Sequence, residues 1–269
     1  MALTANPVVM GIVNVTPDSF SDGGAHFERQ TAIDAALRME ADGAAIIDVG
    51  GESTRPGAAP VSIEQELDRV TPVVEQIRRR SDVAISVDTR NAAVAVAALD
   101  AGADIINDVS AFRHDPAMAA LAARRGVPTI LMHMRGDPRT MQKLAVYDDV
   151  VSEVGRELGE LREAAIRAGV APENILVDPG IGFAKTYVHN LELLARCSEL
   201  AGIAPLVVGA SRKAFVGHIT GRDAGPQRAA GSLAAVAAAF RGGAAVVRVH
   251  DVRETVDFLL VLAAIEERR

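Results

Sequence analysis

The chain has one cysteine, Cys197, only 3% aromatic residues, and just three lysines among its 28 basic residues. A single cysteine forbids an intrachain disulfide and points to a reducing compartment. With so few rings, the core of these 269 residues has to be aliphatic, and 49% of them are hydrophobic. No uncharged apolar run approaches the ~18 residues that a membrane helix needs. The opening MALTANPVVMGIVNV lacks the positive segment and small-residue cleavage site of a secretory signal. A cytoplasmic protein is therefore expected. Positive charge is also scarce: the formal net charge is −7, which leaves no basic face for a nucleic-acid backbone. An acidic ligand would have to be met by a local pocket. No Pro-, Ser- or Gly-rich stretch marks a linker, so residues 1–269 are expected to form one domain.

Several chemical signatures are missing too. There is no G-x-G-x-x-G or Walker A loop, and the six histidines, at 26, 114, 133, 189, 218 and 250, form no H-x-H or H-E-x-x-H pair. A protein-built zinc site is thereby disfavoured.

What is present is a repeated unit: an Ala-rich amphipathic segment, a glycine, a short β-prone run, then a polar residue. ADGAAIIDVG (41–50), DAGADIIND (100–108), RRGVPTILMH (124–133), RAGVAPENILVD (167–178), LAGIAPLVVGAS (200–211) and RGGAAVVRVH (241–250) all follow it. Each glycine falls where a helix C-cap calls for left-handed dihedrals. The apolar runs lack alternation, as strands covered on both faces do. Ser62-Ile63-Glu64-Gln65 reads as a capping box, and Asn91 and Asp148 as N-cap candidates. Adding VVMGIVN and VAISVDT gives strands near 8–13, 44–49, 83–88, 104–108, 128–133, 174–178, 205–210 and 245–249. Such spacing suits one βα unit per strand and predicts a single-domain α/β TIM (β/α)8 barrel. An open doubly wound sheet is the alternative, but it usually has one switch-point ligand site and often a Gly-rich loop.

Nearly every strand ends in a polar group: Asn14, Asp48, Asp88, Asn107 with Asp108, His133, Asp178, Ser211 through Lys213, and Arg248 with His250. Taken singly, a strand-end Asp or Asn often caps its own loop. Only a closed barrel brings all of these ends to one mouth. Asp88, Asn107 and Asp178 suit a planar heterocycle rich in N–H and carbonyl groups. Arg212, Lys213, Arg248 and His250 place positive charge after the last two strands, where TIM barrels often hold phosphate. A Schiff-base role for Lys213 has nothing in SRKAF to single it out. Mg²⁺ fits if substrate phosphates supply most of its ligands.

MGIVNVTPDSFSDGG (10–24), IIDVGGESTRPGA (46–58), ISVDTR (85–90), IINDVSA (105–111), LVDPGIGFAKT (176–186), VGASRKAF (208–215) and VRVHDV (247–252) occur in that order. Over nearly the whole chain they resemble the dihydropteroate synthases. The resemblance implies a TIM barrel of folate synthesis that joins 6-hydroxymethyl-7,8-dihydropterin pyrophosphate to p-aminobenzoate, with Mg²⁺ as cofactor. It implies that Asp88, Asn107, Asp178 and Lys213 bind the pterin, that Arg248 lies against it, and that Asn14, Arg248 and His250 hold the pyrophosphate, with Asn14 also at the metal. Catalysis by an SN1-like path would then rest on Asp88, Asp178, Lys213, Arg248 and His250. Mobile loops after strands 1 and 2, with Phe20, Thr54, Arg55 and Pro56, would build the p-aminobenzoate site together with Phe183 and Ser211. Many family members carry serine where this chain has Ala214, so the aminobenzoate carboxylate must be met by the helix N-terminus or by Ser211 and Arg212. Ordered binding, sulfonamide sensitivity and a homodimer through 229–243 and 254–267 are further implications. The rivals are a corrinoid-dependent pterin-binding methyltransferase, which has no pyrophosphate to hold, and a catalytically silent homologue.

Overall fold

The apolar runs become eight parallel strands, each followed by a helix that covers it. The structure is a computed structural model and describes residues 7–15, 24–53 and 61–268. The strands are β1 (Val8–Asn14), β2 (Ile46–Gly50), β3 (Ala84–Asp88), β4 (Ile105–Asp108), β5 (Thr129–Met132), β6 (Ile175–Asp178), β7 (Val207–Val208) and β8 (Val246–Val249). The helices are α1 (Gly24–Ala41), α2 (Ile63–Arg78), α3 (Ala92–Asp100), α4 (Ala117–Arg125), α5 (Val150–Arg167), α6 (Tyr187–Ala195), α7 (Ala214–Thr220), α8 (Ala229–Arg241) and α9 (Val252–Glu266). The ladder runs β6-β5-β4-β3-β2-β1-β8-β7, and a single parallel bridge, Val177 to Leu206, joins its two ends. This is the expected TIM barrel.

Period-2 geometry sorts each strand into two sets of side chains. One set faces the helices: Val9, Val13, Ile47, Val49, Ile85, Val87, Ile175, Val177, Val247 and Val249 are buried there with the helix cores. The other fills the barrel, where Met10, Ile130, Val207 and Val246 pack with Ile46, Ile105 and Leu176 into an apolar plug. Each fully buried aliphatic side chain contributes roughly 1.5–3 kcal/mol. Trimming one to alanine costs about 2–5 kcal/mol.

Local chemistry follows the sequence with four differences. Ser62 and Gln65 form the capping box at the start of α2, and Gly43, Gly102, Gly126, Gly169 and Gly243 take positive φ, whereas Gly202 does not. The cap of α5 is Asp149 rather than Asp148, its Oδ1 accepting from the N–H groups of Val151 and Ser152. Asn91 occupies the cap position of α3 without capping it, because its amide donates instead to Glu66 Oε2 at 2.6 Å. β7 is also shorter than expected, since Pro205 has no N–H to donate to a ladder.

Candidate active site

Two residues beyond the plug, in the same inward phase, the strands turn polar. Ile46 is succeeded by Asp48, Ile105 by Asn107, Leu176 by Asp178 and Val246 by Arg248. Arg248 Nε donates to Asp48 Oδ2 at 2.6 Å, and its Nη2 donates to Asp88 Oδ2 at 2.7 Å. Asn107 Nδ2 donates to both Asp48 oxygens, at 3.3 and 3.2 Å. Asp88 and Asn107 are themselves register partners on β3 and β4. The structure thus brings Asp88, Asn107 and Arg248 together as expected and adds Asp48, fully buried at the centre. Asp48 was legible from its phase, since it lies two residues from Ile46 in a strand whose alternate positions face the barrel.

Burial dominates the electrostatics here. It pushes the Asp88 carboxyl upward, with Arg248 opposing and Asp48 reinforcing the shift. Burial also raises Asp178, against the Gly180 N–H, Lys213 and Arg248. For Arg248, burial works against the charge, but Asp48 and Asp88 more than offset it, so its affinity for a proton rises. Two inward carboxylates sharing one guanidinium leave a pocket with strong acceptors for the N–H groups of a heterocycle and a flat cation for its face.

The β7–α7 turn carries SRK in strained backbone. Arg212 has φ 57, a left-handed conformation that costs a non-glycine residue on the order of 1 kcal/mol. Three contacts hold it: the Arg212 N–H donates to Ser232 Oγ at 2.9 Å, its side chain pairs with Asp251, and Arg228 Nη1 donates to the Arg212 and Lys213 carbonyls. The turn sets Lys213 Nζ over the Phe183 ring, 4.2 Å from its centroid. Ser211 Oγ lies 3.1 Å from His250 Nδ1 and accepts from the His250 N–H at 3.2 Å. With the Ser211 hydroxyl donating to Nδ1, the tautomer that suits this contact carries its proton on Nε2. Burial, helped by Arg212 and Arg248, lowers the His250 pKa to about 3. The ring is thus a neutral Nε2–H donor at working pH.

The β6–α6 turn is closely packed against its neighbours. The Gly180 N–H donates to Asp178 Oδ1 at 2.7 Å. Gly180 itself takes φ +67, and an added Cβ would lie 2.0 Å from the His133 carbonyl oxygen, so only glycine fits. Ala184 is left-handed as well, with φ 49. Buried Phe183 is carried by this turn, against Met132, Met134 and Met141.

Other strand-end groups face elsewhere. Asp108 points into its own loop and accepts from the Ser110 N–H and hydroxyl and from the Phe112 N–H, at 2.6–2.9 Å. His133 faces α5, with Nε2 2.8 Å from Glu157 Oε2. Asn14 ends β1, the strand that pairs with β8 next to Arg248 and His250. Phe20, Thr54, Arg55 and Pro56 lie outside the described residues. The root of their second loop is described and is firmly held. Arg90 donates twice to Glu52, at 3.1 and 2.9 Å, and Arg69 Nη1 donates to the Gly51 carbonyl at 2.8 Å. Among the described residues no group of three or more His, Cys, Asp or Glu side chains is placed to hold a metal, and no helix is long and apolar enough to cross a membrane.

Comparison with known proteins gives these groups a context. Residues 10–250 match the family model described as pterin binding enzyme. The chain is 50% identical over 262 residues to the dihydropteroate synthase of Escherichia coli (strain K12), spanning 97% of this chain and 92% of that protein. A solved structure of the Xanthomonas albilineans dihydropteroate synthase with 4-aminobenzoic acid superposes with a TM-score of 0.92 at 47% identity, over 97% of this chain and 93% of that one. The Yersinia pestis dihydropteroate synthase with a sulfonamide drug complex gives the same TM-score and identity, over 97% and 95%.

Proposed function

This chain belongs to the pterin binding enzyme family, among its dihydropteroate synthases, and from that premise we infer how its barrel mouth carries out the condensation. The reaction is transfer of the dihydropterin methylene from pyrophosphate to the amine of p-aminobenzoate. The observation that carries the reading is the inward ring of Asp48, Asp88, Asn107, Asp178 and Arg248, closed by Lys213 across the barrel seam.

The pterin edge is read by Asp88, Asn107 and Asp178, whose acceptors and amide match its N–H and carbonyl groups, while the Arg248 plane covers its face. Lys213 completes that edge. His250 donates from Nε2 to a pyrophosphate oxygen, and Arg248 supplies charge to the same anion. As the methylene–oxygen bond lengthens, positive charge spreads into the ring, where Asp178 and Asp88 stabilise it. The growing negative charge on pyrophosphate falls to Arg248 and His250. The aniline lone pair then attacks the methylene, and the nitrogen sheds its proton to solvent. No strong base is needed, because the attacking nitrogen is already neutral.

Mg²⁺ fits this site in one mode only. With no multidentate acidic cluster among the described residues, a single amide oxygen from Asn14 would supplement phosphate oxygens and water. When bound, the ion neutralises the leaving pyrophosphate.

The aminobenzoate lies on the Phe183 and Ser211 side, toward the loops of Phe20, Thr54, Arg55 and Pro56, which bind it once pyrophosphate is in place. With Ala214 lacking a hydroxyl, backbone N–H groups at the start of α7 meet its carboxylate. Sulfonamides share that shape, and the enzyme is sensitive to them. A homodimer forms through α8 and α9, of which α9 exposes Leu260, Val261 and Ile265. The single cysteine is buried and its thiol is pushed up to about 11 by burial, in keeping with a cytoplasmic enzyme.

The test is release of pyrophosphate from dihydropterin pyrophosphate and Mg²⁺, with and without p-aminobenzoate, beside Asp178→Asn and Lys213→Ala. Release that requires the amine, yields dihydropteroate and falls about 10²-fold or more in both variants is expected. Amine-independent release, or full activity in either variant, would sink the assignment. In the same assay sulfamethoxazole is expected to compete with p-aminobenzoate, and an inhibition constant far above the amine's KM would refute sensitivity.

A further inference from the structure

Of the three lysines, Lys185 is the most deeply buried, 3% exposed, and the chemistry above does not use it. Its Nζ donates to the Phe183 carbonyl at 2.9 Å and lies 3.0 Å from His133 Nδ1. Among the described residues no carboxylate forms a hydrogen bond or ion pair with it. A carboxylate is reached through the imidazole: His133 Nε2 is 2.8 Å from Glu157 Oε2, and Arg135 holds Glu157 in turn with hydrogen bonds to both carboxylate oxygens. A carboxylate at Nε2 requires the ring proton there, so Nδ1 is a lone pair and accepts from the ammonium. The chain therefore has one polarity: Lys185 donates to His133, and His133 donates to Glu157.

A buried ammonium is expensive in a fold unless it holds something. What this one holds is the carbonyl between Gly182 and Ala184, both left-handed at φ +86 and 49, in the turn that sets Phe183 against Lys213. Other ties on that turn are Tyr147 Oη to the Ala184 carbonyl at 3.0 Å, the Gly182 N–H to Asn190 Oδ1 at 2.7 Å and, where the turn begins, the Gly180 N–H to Asp178 Oδ1 at 2.7 Å. Gly182 and Ala184 contribute little side-chain packing of their own, so a donor on the carbonyl between them restrains the turn where its backbone is left-handed.

We propose that Lys185 is a positioning residue for the condensation: relayed through His133 to Glu157, it clamps the Phe183 carbonyl and keeps the 180–184 turn in the shape that seats the amine substrate beside Lys213. This rests on the reading of the site as an aminobenzoate pocket bounded by Phe183. The ammonium is also pulled down to about 7, by burial first, with Asp178 and Glu157 opposing and Arg135 and Lys213 reinforcing. That agrees with a cation held in place by geometry rather than by a direct counter-ion.

The test compares Lys185→Met, His133→Leu and His133→Gln with the parent enzyme. The glutamine amide can accept from Lys185 and donate to Glu157, so it preserves the polarity of the relay, and leucine does not. Lys185→Met and His133→Leu are expected to raise the p-aminobenzoate KM about tenfold and to leave that of dihydropterin pyrophosphate within about twofold. His133→Gln is expected to recover most of the loss. Hydrogen exchange of the Gly182 and Phe183 amides should quicken at least tenfold in the first two variants, while the Val177 amide in β6 is unchanged. Should the buried variants fail to fold, Glu157→Ala, at a partly exposed position, is expected to raise the aminobenzoate KM about threefold. Equal increases in both KM values, failure of glutamine to outperform leucine, or unchanged exchange in the turn would each overturn the clamp. If the parent makes no dihydropteroate, the functional reading fails, and the exchange experiment still decides whether the clamp exists.

Discussion

Arg248 bridges Asp48 and Asp88, and its removal exposes what the pair of carboxylates costs. Arg248→Met keeps the chain length but leaves two buried acids facing one another. We expect a loss of ~3–5 kcal/mol at pH 7, together with loss of measurable pterin binding. The sign of the pH dependence follows from Asp88, whose pKa is raised by burial and would rise further without the guanidinium. A carboxyl with a folded pKa above its unfolded value binds more protons when folded, so stability grows as pH falls. The deficit of the variant should therefore shrink between pH 7 and 5, measured by urea unfolding, and a deficit constant with pH would contradict the pairing. Lys185 gives the opposite trend for a different reason. Its folded pKa of about 7 lies below that of a free lysine, so above pH 7 the unfolded chain binds more protons and stability rises.

At the scale of the element, strands were more legible than turns, and the difference is physical. A strand such as Ile105–Asp108 announces itself through a β-branched run after a helix-ending glycine, whereas which of Asn107 and Asp108 faces the barrel emerged only in the structure. Asp48, Asp88, Asn107, Asp178 and Arg248 were each legible as strand-end polar groups, but Asp48 was given no role because strand ends were weighed by chemistry rather than by phase. The turns obey contacts between distant parts of the chain, which no local pattern encodes. Nothing near Arg212 in sequence shows that Ser232 and Asp251 hold its backbone left-handed, and nothing near Lys185 points to Glu157. The β6–α6 turn is the clearest case for a measurement. Gly180→Ala places a methyl group against the His133 carbonyl in left-handed backbone and is expected to cost about 2 kcal/mol or more. A midpoint of chemical denaturation within error of the parent would mean that the turn is softer than its geometry implies.

The whole molecule raises the question of what covers α9. Leu260, Val261 and Ile265 stand exposed on one helix of the outer ring, and a mass by light scattering of twice the 28.2 kDa chain is expected. Leu260→Glu with Val261→Glu should return the single-chain mass with activity assays to follow, and a parent that already runs as one chain would refute the dimer. Within one chain, the single bridge from Val177 to Leu206 has a consequence of its own. As hydrogen-bonded structure the barrel is a strip of staves whose two ends meet between β6 and β7. Asp178 belongs to the stave on one side of that meeting, and Lys213 follows the stave on the other. A heterocycle gripped by both, as proposed for the pterin, would be a hoop: it would finish the cooperage that the backbone leaves with one fastening.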